Sequence, residues 1–294
     1  MSQQPTLGLF IGLITVDLIY LAKSVPQNNQ KIVATDYTVA AGGPATNAAV
    51  AFSCWNQAKL VGVVGSHPLK SLILADLANY QVTVEDLDAT QVEPPPVSSI
   101  IVTQATGERA IVSLNAVKTQ VTSRLSQDIL QGVDIVLIDG HQMVLSRVIA
   151  QQAKENNIPV VIDGGSWKPG FEQVLPFADY AVCSANFYPP GCGTTTEVFA
   201  YLTEIGIPHI AITQGKNPIQ YQTNNRRIAS LAVPKVQAVD TVGAGDIFHG
   251  AFCHYILQAS FPEALAAAAR VATYACGFFG TRSWIDTTKL DSFE

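Results

Sequence analysis

Short apolar runs alternate with stretches whose apolar residues recur at helical spacing, and this rhythm runs along most of the chain. Leu7 to Ile14 and Leu60 to Val64 read as strands; Asn47 to Trp55 and Leu69 to Tyr80 read as helices. The alternation returns through Ile135–Ile138, Val144–Glu155, Val160–Ile162, Tyr180–Cys183, Val198–Ile205 and Ile210–Thr213. Strands without an alternating polar face that are separated by helices predict βαβ units around a mostly parallel sheet covered on both faces. Two segments depart from the pattern, Ile19–Val39 and Val97–Ser113, where β-branched residues dominate and Thr106-Gly107 marks a hairpin turn. They predict a small antiparallel lid over about 16–40 and 95–114, with Pro94-Pro95-Pro96 as a stiff connector or hinge. One domain over 1–294 accounts for the whole pattern.

Composition agrees with a folded enzyme-sized domain. Of 294 residues 48% are hydrophobic and 14% charged, enough to bury a large core. The formal net charge of -6, with Lys and Arg scattered, leaves no basic footprint for a nucleic-acid partner. Cys54, Cys183, Cys192, Cys253 and Cys276 lack paired spacing and read as reduced thiols of a cytoplasmic protein. No apolar run is long enough for a membrane span.

The sharpest segment is Asp240-Thr241-Val242-Gly243-Ala244-Gly245-Asp246, followed by Ile247, Phe248, Ala251, Phe252, Tyr255 and Ile256 at helical spacing. A turn of small residues opening a helix presents free amides of Gly243, Ala244 and Gly245 to an anion. Asp246 then lies in the first turn, a carboxylate base beside a cradle for phosphate oxygens, which is what phosphoryl transfer requires. The other reading is an N-terminal helix aspartate after glycines that only permit the turn. Neither G-x-x-x-x-G-K-[ST] nor G-x-G-x-x-G is present. His249 and His254, five apart on the same helical pattern, read as structural.

The Asp240–Asp246 segment resembles the signature of the PfkB-type, ribokinase-like carbohydrate kinases. A second element of that family stands at Ala41-Gly42-Gly43-Pro44-Ala45-Thr46-Asn47-Ala48-Ala49, and the order and separation of the two agree with it. The resemblance extends from Gly12 to about Gly280. Within the family, Gly12-Leu13-Ile14-Thr15-Val16-Asp17, Asp36-Tyr37-Thr38 and Gly245-Asp246-Ile247-Phe248-His249-Gly250-Ala251 are most similar to sulfofructose kinases and related ketose kinases such as ketohexokinase.

The resemblance implies a three-layer α/β fold with a β lid and ATP-dependent phosphorylation of a small sugar, with Asp246 as the base. It places Gly42, Gly43, Asn47 and Asp17 at the sugar. Ser184, Asn186, Thr213, Gly215, Lys216 and Thr241 fall toward the nucleotide. Mg2+ would accompany ATP, and a monovalent cation such as K+ would sit near Asp240.

Three further candidates come from their positions in the pattern. Arg109 in the hairpin is either a contact for an anionic sugar substituent or a solvated arginine. His141, just past a strand end, is a candidate substrate contact. Lys168, in Asp163-Gly164-Gly165-Ser166-Trp167-Lys168, either neutralises charge in the cleft or is an exposed loop lysine.

Two departures from the family pattern bear on metal and substrate handling. Gly65-Ser66-His67-Pro68-Leu69 stands where a Gly-Asp-Asp-like stretch is usual, and no glutamate follows Asn186 before Glu197, where an Asn-Glu pair commonly helps hold magnesium. These losses keep open a catalytically weak sugar or nucleotide sensor, and the fold also serves nucleoside kinases. The exposed lid sheet is a candidate homodimer surface.

Overall fold

The computed structural model describes residues 6–114, 120–121, 126, 128–224 and 226–285. The chain begins with β1 (Leu7–Ile11), β2 (Thr15–Ala22), β3 (Asp36–Gly42), α1 (Pro44–Phe52), β4 (Gln57–Gly62), α2 (Lys70–Asn79) and β5 (Val82–Asp86). Then come β6 (Val97–Thr103), β7 (Arg109–Ser113), β8 (Ile135–Ile138), α3 (Met143–Glu155), β9 (Val160–Gly164) and α4 (Phe171–Val174). The last third holds β10 (Tyr180–Ser184), α5 (Thr195–Ile205), β11 (His209–Gln214), β12 (Asn217–Thr223), β13 (Ala229–Leu231), α6 (Ala244–Tyr255) and α7 (Phe261–Ala275).

Nine strands form the main sheet in the order β13-β12-β11-β10-β9-β8-β1-β4-β5. All neighbours from β5 to β11 pair in parallel, whereas β12 and β13 close one edge antiparallel. The apolar runs are unbroken because each central strand feeds two cores. In β1, Phe10 packs among α1, α6 and α7 on one face, and Leu9 and Ile11 pack among α3, α4 and α5 on the other. Parallel pairing also brings the carboxyl ends of β1, β8, β9, β10 and β11 to one edge, where an open sheet of this kind collects its ligands.

The helix ends follow from local chemistry. Thr194 with Glu197 and Ser260 with Glu263 form capping boxes for α5 and α7, each satisfying amides that the helix itself leaves unpaired. Before α6, Gly243 adopts φ 70°, a left-handed conformation that suits a residue without a Cβ.

The two departing segments form a separate four-stranded sheet in the order β3-β2-β6-β7. Its β2–β3 and β6–β7 pairings are antiparallel as expected, and the central β2–β6 pairing runs parallel. That exception arises because β2 and β6 enter side by side: the carbonyl of Pro96, last of the three prolines, accepts from the Val16 amide at 2.9 Å. The segment read as one β-rich stretch from Ile19 to Val39 resolves into two strands, β2 beginning at Thr15 and β3 ending at Gly42. No helix among the described residues is long and apolar enough to cross a membrane, and all five cysteines are free thiols.

Candidate active site

The N-terminus of α6 lies at the carboxyl edge of the main sheet. Among the described residues the amides of Gly243, Gly245 and Asp246 meet no protein acceptor, and that of Ala244 reaches only the Thr241 carbonyl at a long 3.4 Å. Three free donors and one weakly held at a helix start, reinforced by its dipole, are suited to an anion. A Cβ added at Gly245 would meet nothing within 4 Å, so this turn is open to a ligand.

Asp246 is half-buried and accepts a hydrogen bond from Asn47 Nδ2 at 2.9 Å. Residues 199 positions apart in sequence thus meet at one point, the start of α1 against the start of α6. Burial, then the nearby charge of Asp163, pushes the Asp246 carboxyl up to about 7, against the opposing effects of Asn47 and His249. His249 is held between the carbonyls of Gly245 (Nδ1, 2.8 Å) and Val182 (Nε2, 3.0 Å), with Asp163 Oδ2 at 3.5 Å from Nδ1. It fixes the first turn of α6 to β10.

Asp17 is buried on β2 and accepts from Thr15 Oγ1 at 2.8 Å; burial raises its carboxyl above the ordinary range. Gly42 lies directly beneath it, since a Cβ there would sit 2.1 Å from Asp17 Cγ. Gly43, at φ 102°, would thrust a Cβ to within 2.2 Å of the Leu13 carbonyl oxygen. The two glycines therefore serve the close approach of Asp17 and Leu13 as well as leaving the backbone bare.

His141 is buried, and its Nδ1 pairs with Asp139 Oδ1 at 2.9 Å. Asp139 lies just beyond the end of β8 and was not singled out from the sequence. Its carboxylate also accepts from the amides of Leu13, Ala45 and His141 itself, joining the ends of β1, α1 and β8. The His141 ring and these bonds hold its pKa down to about 2 in spite of burial, which is the largest single influence. A Cβ at Gly140 would meet the Phe171 ring at 2.5 Å and Lys168 Cδ at 3.3 Å, and the Lys168 ammonium makes a long bond, 3.4 Å, to the Ser166 carbonyl. The same ammonium influences both Asp139 and Asp163.

At the ends of β10 and β11, Ser184 and Thr213 are register partners. Ser184 Oγ donates to Gly165 O at 2.6 Å and accepts from the Asn186 amide, leaving the Asn186 side chain exposed. Gly215 turns at φ 58° with open space around it, and Lys216 is exposed beside it. Thr241 lies in the turn before α6, where Arg109 NH1 donates to both its carbonyl and its hydroxyl at 3.0 Å. Arg109 thus faces the loop that leads to the helix, and its hairpin is docked there by the Gly107 carbonyl accepting from Thr241 Oγ1.

Asp240 accepts from Val242 N and Gly280 N, each at 2.8 Å, so both its oxygens already tie the loop together. A monovalent cation at this carboxylate would share it with those amides. Glu197, the first glutamate after Asn186, is committed to the cap of α5, accepting from Gly193 N, Thr194 N and Thr194 Oγ1. Among the described residues no three His, Cys, Asp or Glu side chains are grouped to hold a metal ion. An Mg2+ accompanying ATP would then be held chiefly by phosphates and water.

Arg282 is a further residue that sequence reading missed. It donates to Asn47 Oδ1 at 2.9 Å and to the Ala41 carbonyl, and pairs with Asp76 at 3.2 Å.

The chain is similar to known proteins along most of its length. Ribokinase from Bacillus subtilis is 24% identical over 288 residues, covering 94% of this chain and 95% of that protein. Deoxyribokinase from Salmonella typhi is 24% identical over 272 residues, covering 86% and 87%. The structure of Arabidopsis thaliana ribokinase complexed with ribose and ATP superposes with a TM-score of 0.77 at 21% identity, covering 99% of each chain. A family model described as pfkB family carbohydrate kinase matches residues 6–288. Family match, relatives and fold thus converge: the chain belongs to the pfkB family of carbohydrate kinases and is an ATP-dependent phosphotransferase acting on a sugar hydroxyl.

Proposed function

We propose that Asp246 is the general base, that the α6 amides stabilise the charge building on the transferred phosphoryl group, and that the four-stranded sheet closes over the acceptor. The observation that carries this reading is the half-buried Asp246 carboxylate, oriented by Asn47, beside amides with no other acceptor. A raised carboxyl pKa suits a base working near neutral pH. Each amide donor aimed at the developing charge is worth roughly 3 kcal/mol in comparable anion holes. Closure would exclude water, the competing acceptor.

Asp17, Asn47 and the backbone of Gly42 and Gly43 are assigned to the acceptor's hydroxyls, with His141 and Lys168 at the flank of the same cleft. A missing hydroxyl would cost buried Asp17 a hydrogen bond beyond the one it accepts from Thr15, which is how such a site discriminates. The acceptor is a small sugar; ribose, deoxyribose, ketohexoses and sulfosugars are the panel to screen. Ser184, Asn186, Thr213, Gly215, Lys216 and Thr241 are assigned to ATP. Mg2+ accompanying ATP would neutralise phosphate charge, with the exposed Asn186 as the side chain that would help hold it.

The outer face of the four-stranded sheet carries Tyr37, Val112 and Leu114, exposed at 68%, 77% and 71%, and Tyr20 at 37%. An apolar sheet face of this kind supports the homodimer reading, which sedimentation of wild type against a Tyr37→Glu/Val112→Glu double variant tests.

The deciding experiment is Asp246→Asn assayed on the sugar panel with ATP and Mg2+. Sugar and ATP binding should persist, and turnover should fall at least about a hundredfold, the low end for a lost general base. Unchanged turnover removes Asp246 from the chemistry. Saturable sugar binding by the wild-type protein without ADP release on any sugar would favour the sensor.

A further inference from the structure

The Asn47 amide could face Asp246 with either end, and the sequence motif says nothing about which. Crossing from the other side, Arg282 NH1 donates to Asn47 Oδ1 at 2.9 Å. A guanidinium has donors only, so the amide oxygen must turn toward it and the NH2 must turn toward the carboxylate. The hydrogen bond from Nδ2 to Asp246 Oδ2 is the consequence.

Arg282 is itself locked in place. Its side chain is 10% exposed, NH1 also donates to Thr281 Oγ1 at 3.0 Å, NH2 reaches the Ala41 carbonyl at 2.6 Å and Asp76 Oδ2 at 3.2 Å, and the guanidinium lies 5.5 Å over the Tyr80 ring. Asp76 Oδ2 in turn accepts from the Ala41 amide at 3.0 Å. The Ala41 peptide is therefore gripped at its N–H by Asp76 and at its C=O by Arg282, one residue before Gly42.

We propose that Arg282, with Asp76 as its counter-ion, is a positioning residue for phosphoryl transfer: it holds Asn47 in the orientation that donates to Asp246 and fixes the peptide leading into the Gly42-Gly43 pair. This rests on Asp246 being the base. The groups facing Asp246 are Asn47 from α1, Asp163 from β9, His249 from its own helix and Asp17 from β2, and of these only Asn47 touches Arg282. Without the guanidinium the amide is free to turn its oxygen toward a protonated Asp246, which favours the inactive, protonated base. The acid limb of the rate profile then moves to higher pH.

The test compares pH–rate profiles of wild type, Arg282→Met, Arg282→Lys and Asp246→Asn, with circular dichroism as the fold check. Arg282→Met should lower kcat by about 10- to 100-fold, as expected when a reacting group is slightly misplaced. Its acid limb should rise by about half to one pH unit, the equivalent of one ordinary hydrogen bond. KM for ATP should stay at the wild-type value. Arg282→Lys, which keeps a donor for Asn47 but not the fork, should fall between the two, and guanidinium ion added to Arg282→Gly should restore part of the rate.

A folded Arg282→Met with the wild-type acid limb, while Asp246→Asn is inactive, overturns the proposal and leaves the base assignment standing. An active Asp246→Asn overturns the base assignment, and the positioning role with it. Where Arg282→Met does not fold, Arg282→Lys decides by the same criterion. Should neither fold, the side-chain amide protons of Asn47 in the wild-type protein decide by NMR, assigned against Asn47→Ser: slow exchange with solvent supports the locked amide, and exchange at the rate of a free amide overturns it.

Discussion

The Asp17 carboxylate rests on the bare backbone of Gly42, so close that a methyl group in that position would lie 2.1 Å from its Cγ. Contact that near is impossible without movement, and Asp17 is buried with its Thr15 bond already made. Gly42→Ala should therefore displace the carboxylate while the chain still folds. The expected outcome is a KM for sugar raised at least about tenfold, the cost of roughly one hydrogen bond to a charged group, with KM for ATP unchanged. Equal sugar affinity in the two proteins would show that Asp17 is not a ligand group.

The raised Asp246 carboxyl predicts two pH effects of opposite sense. As a base it works when ionised, so kcat/KM should climb through about pH 7 on its acid side. Stability runs the other way. The folded pKa lies above that of the unfolded chain, so between the two values the folded state binds the extra proton, and the contribution is lost as pH rises through about 7. Asp246→Asn should accordingly raise Tm more at pH 8, where the wild-type carboxyl is charged, than at pH 5, where it is neutral. An identical Tm difference at both pH values would contradict the shift.

Arg109 and Gly107 bind the β6–β7 hairpin to Thr241. Removing the guanidinium in Arg109→Ala should loosen that contact. Hydrogen exchange should speed up in residues 104–108 and 240–243 and nowhere in β8–β11, and no change in either segment would show that the arginine contributes nothing to docking.

Glu197 offers a negative control for metal handling. Its carboxylate is spent on the α5 cap, so Glu197→Gln should leave the dependence of rate on Mg2+ concentration unaltered while lowering Tm. A right-shifted Mg2+ curve would make Glu197 a ligand after all.

How far the sequence could be read depends on the distance over which each feature is determined. β1 and β8–β11 were plain because both faces of each strand are buried and the apolar run is continuous. β12 escaped notice: Asn217-Pro218-Ile219-Gln220-Tyr221-Gln222-Thr223 buries only Ile219, as befits an antiparallel strand near an edge. β5, five residues ending in Glu85-Asp86, is likewise too short and polar for a periodic signal. Asp246 and Asn47 stood out because each sits beside glycines at a helix start. Asp139, Asp76 and Arg282 did not, since much of their role lies in pairings with residues far along the chain: Leu13 lies 126 positions from Asp139, and Ala41 lies 241 positions from Arg282. The one clue to Asp139 was its position immediately after a buried strand, which it shares with many loop residues.

The small sheet joins the main body where β1 passes into β2 through Gly12–Ile14, where β3 passes into α1 through Gly42-Gly43, and where Pro96 enters β6. Because β2 is hydrogen-bonded on both sides, to β3 and to β6, and β6 pairs with β7, the four strands form one continuous plate. Asp17 rides on that plate. On the proposed role of Asp17, a lid that opened the cleft would withdraw one of the sugar's holders in the same movement, making release of the product and loss of grip on it a single event.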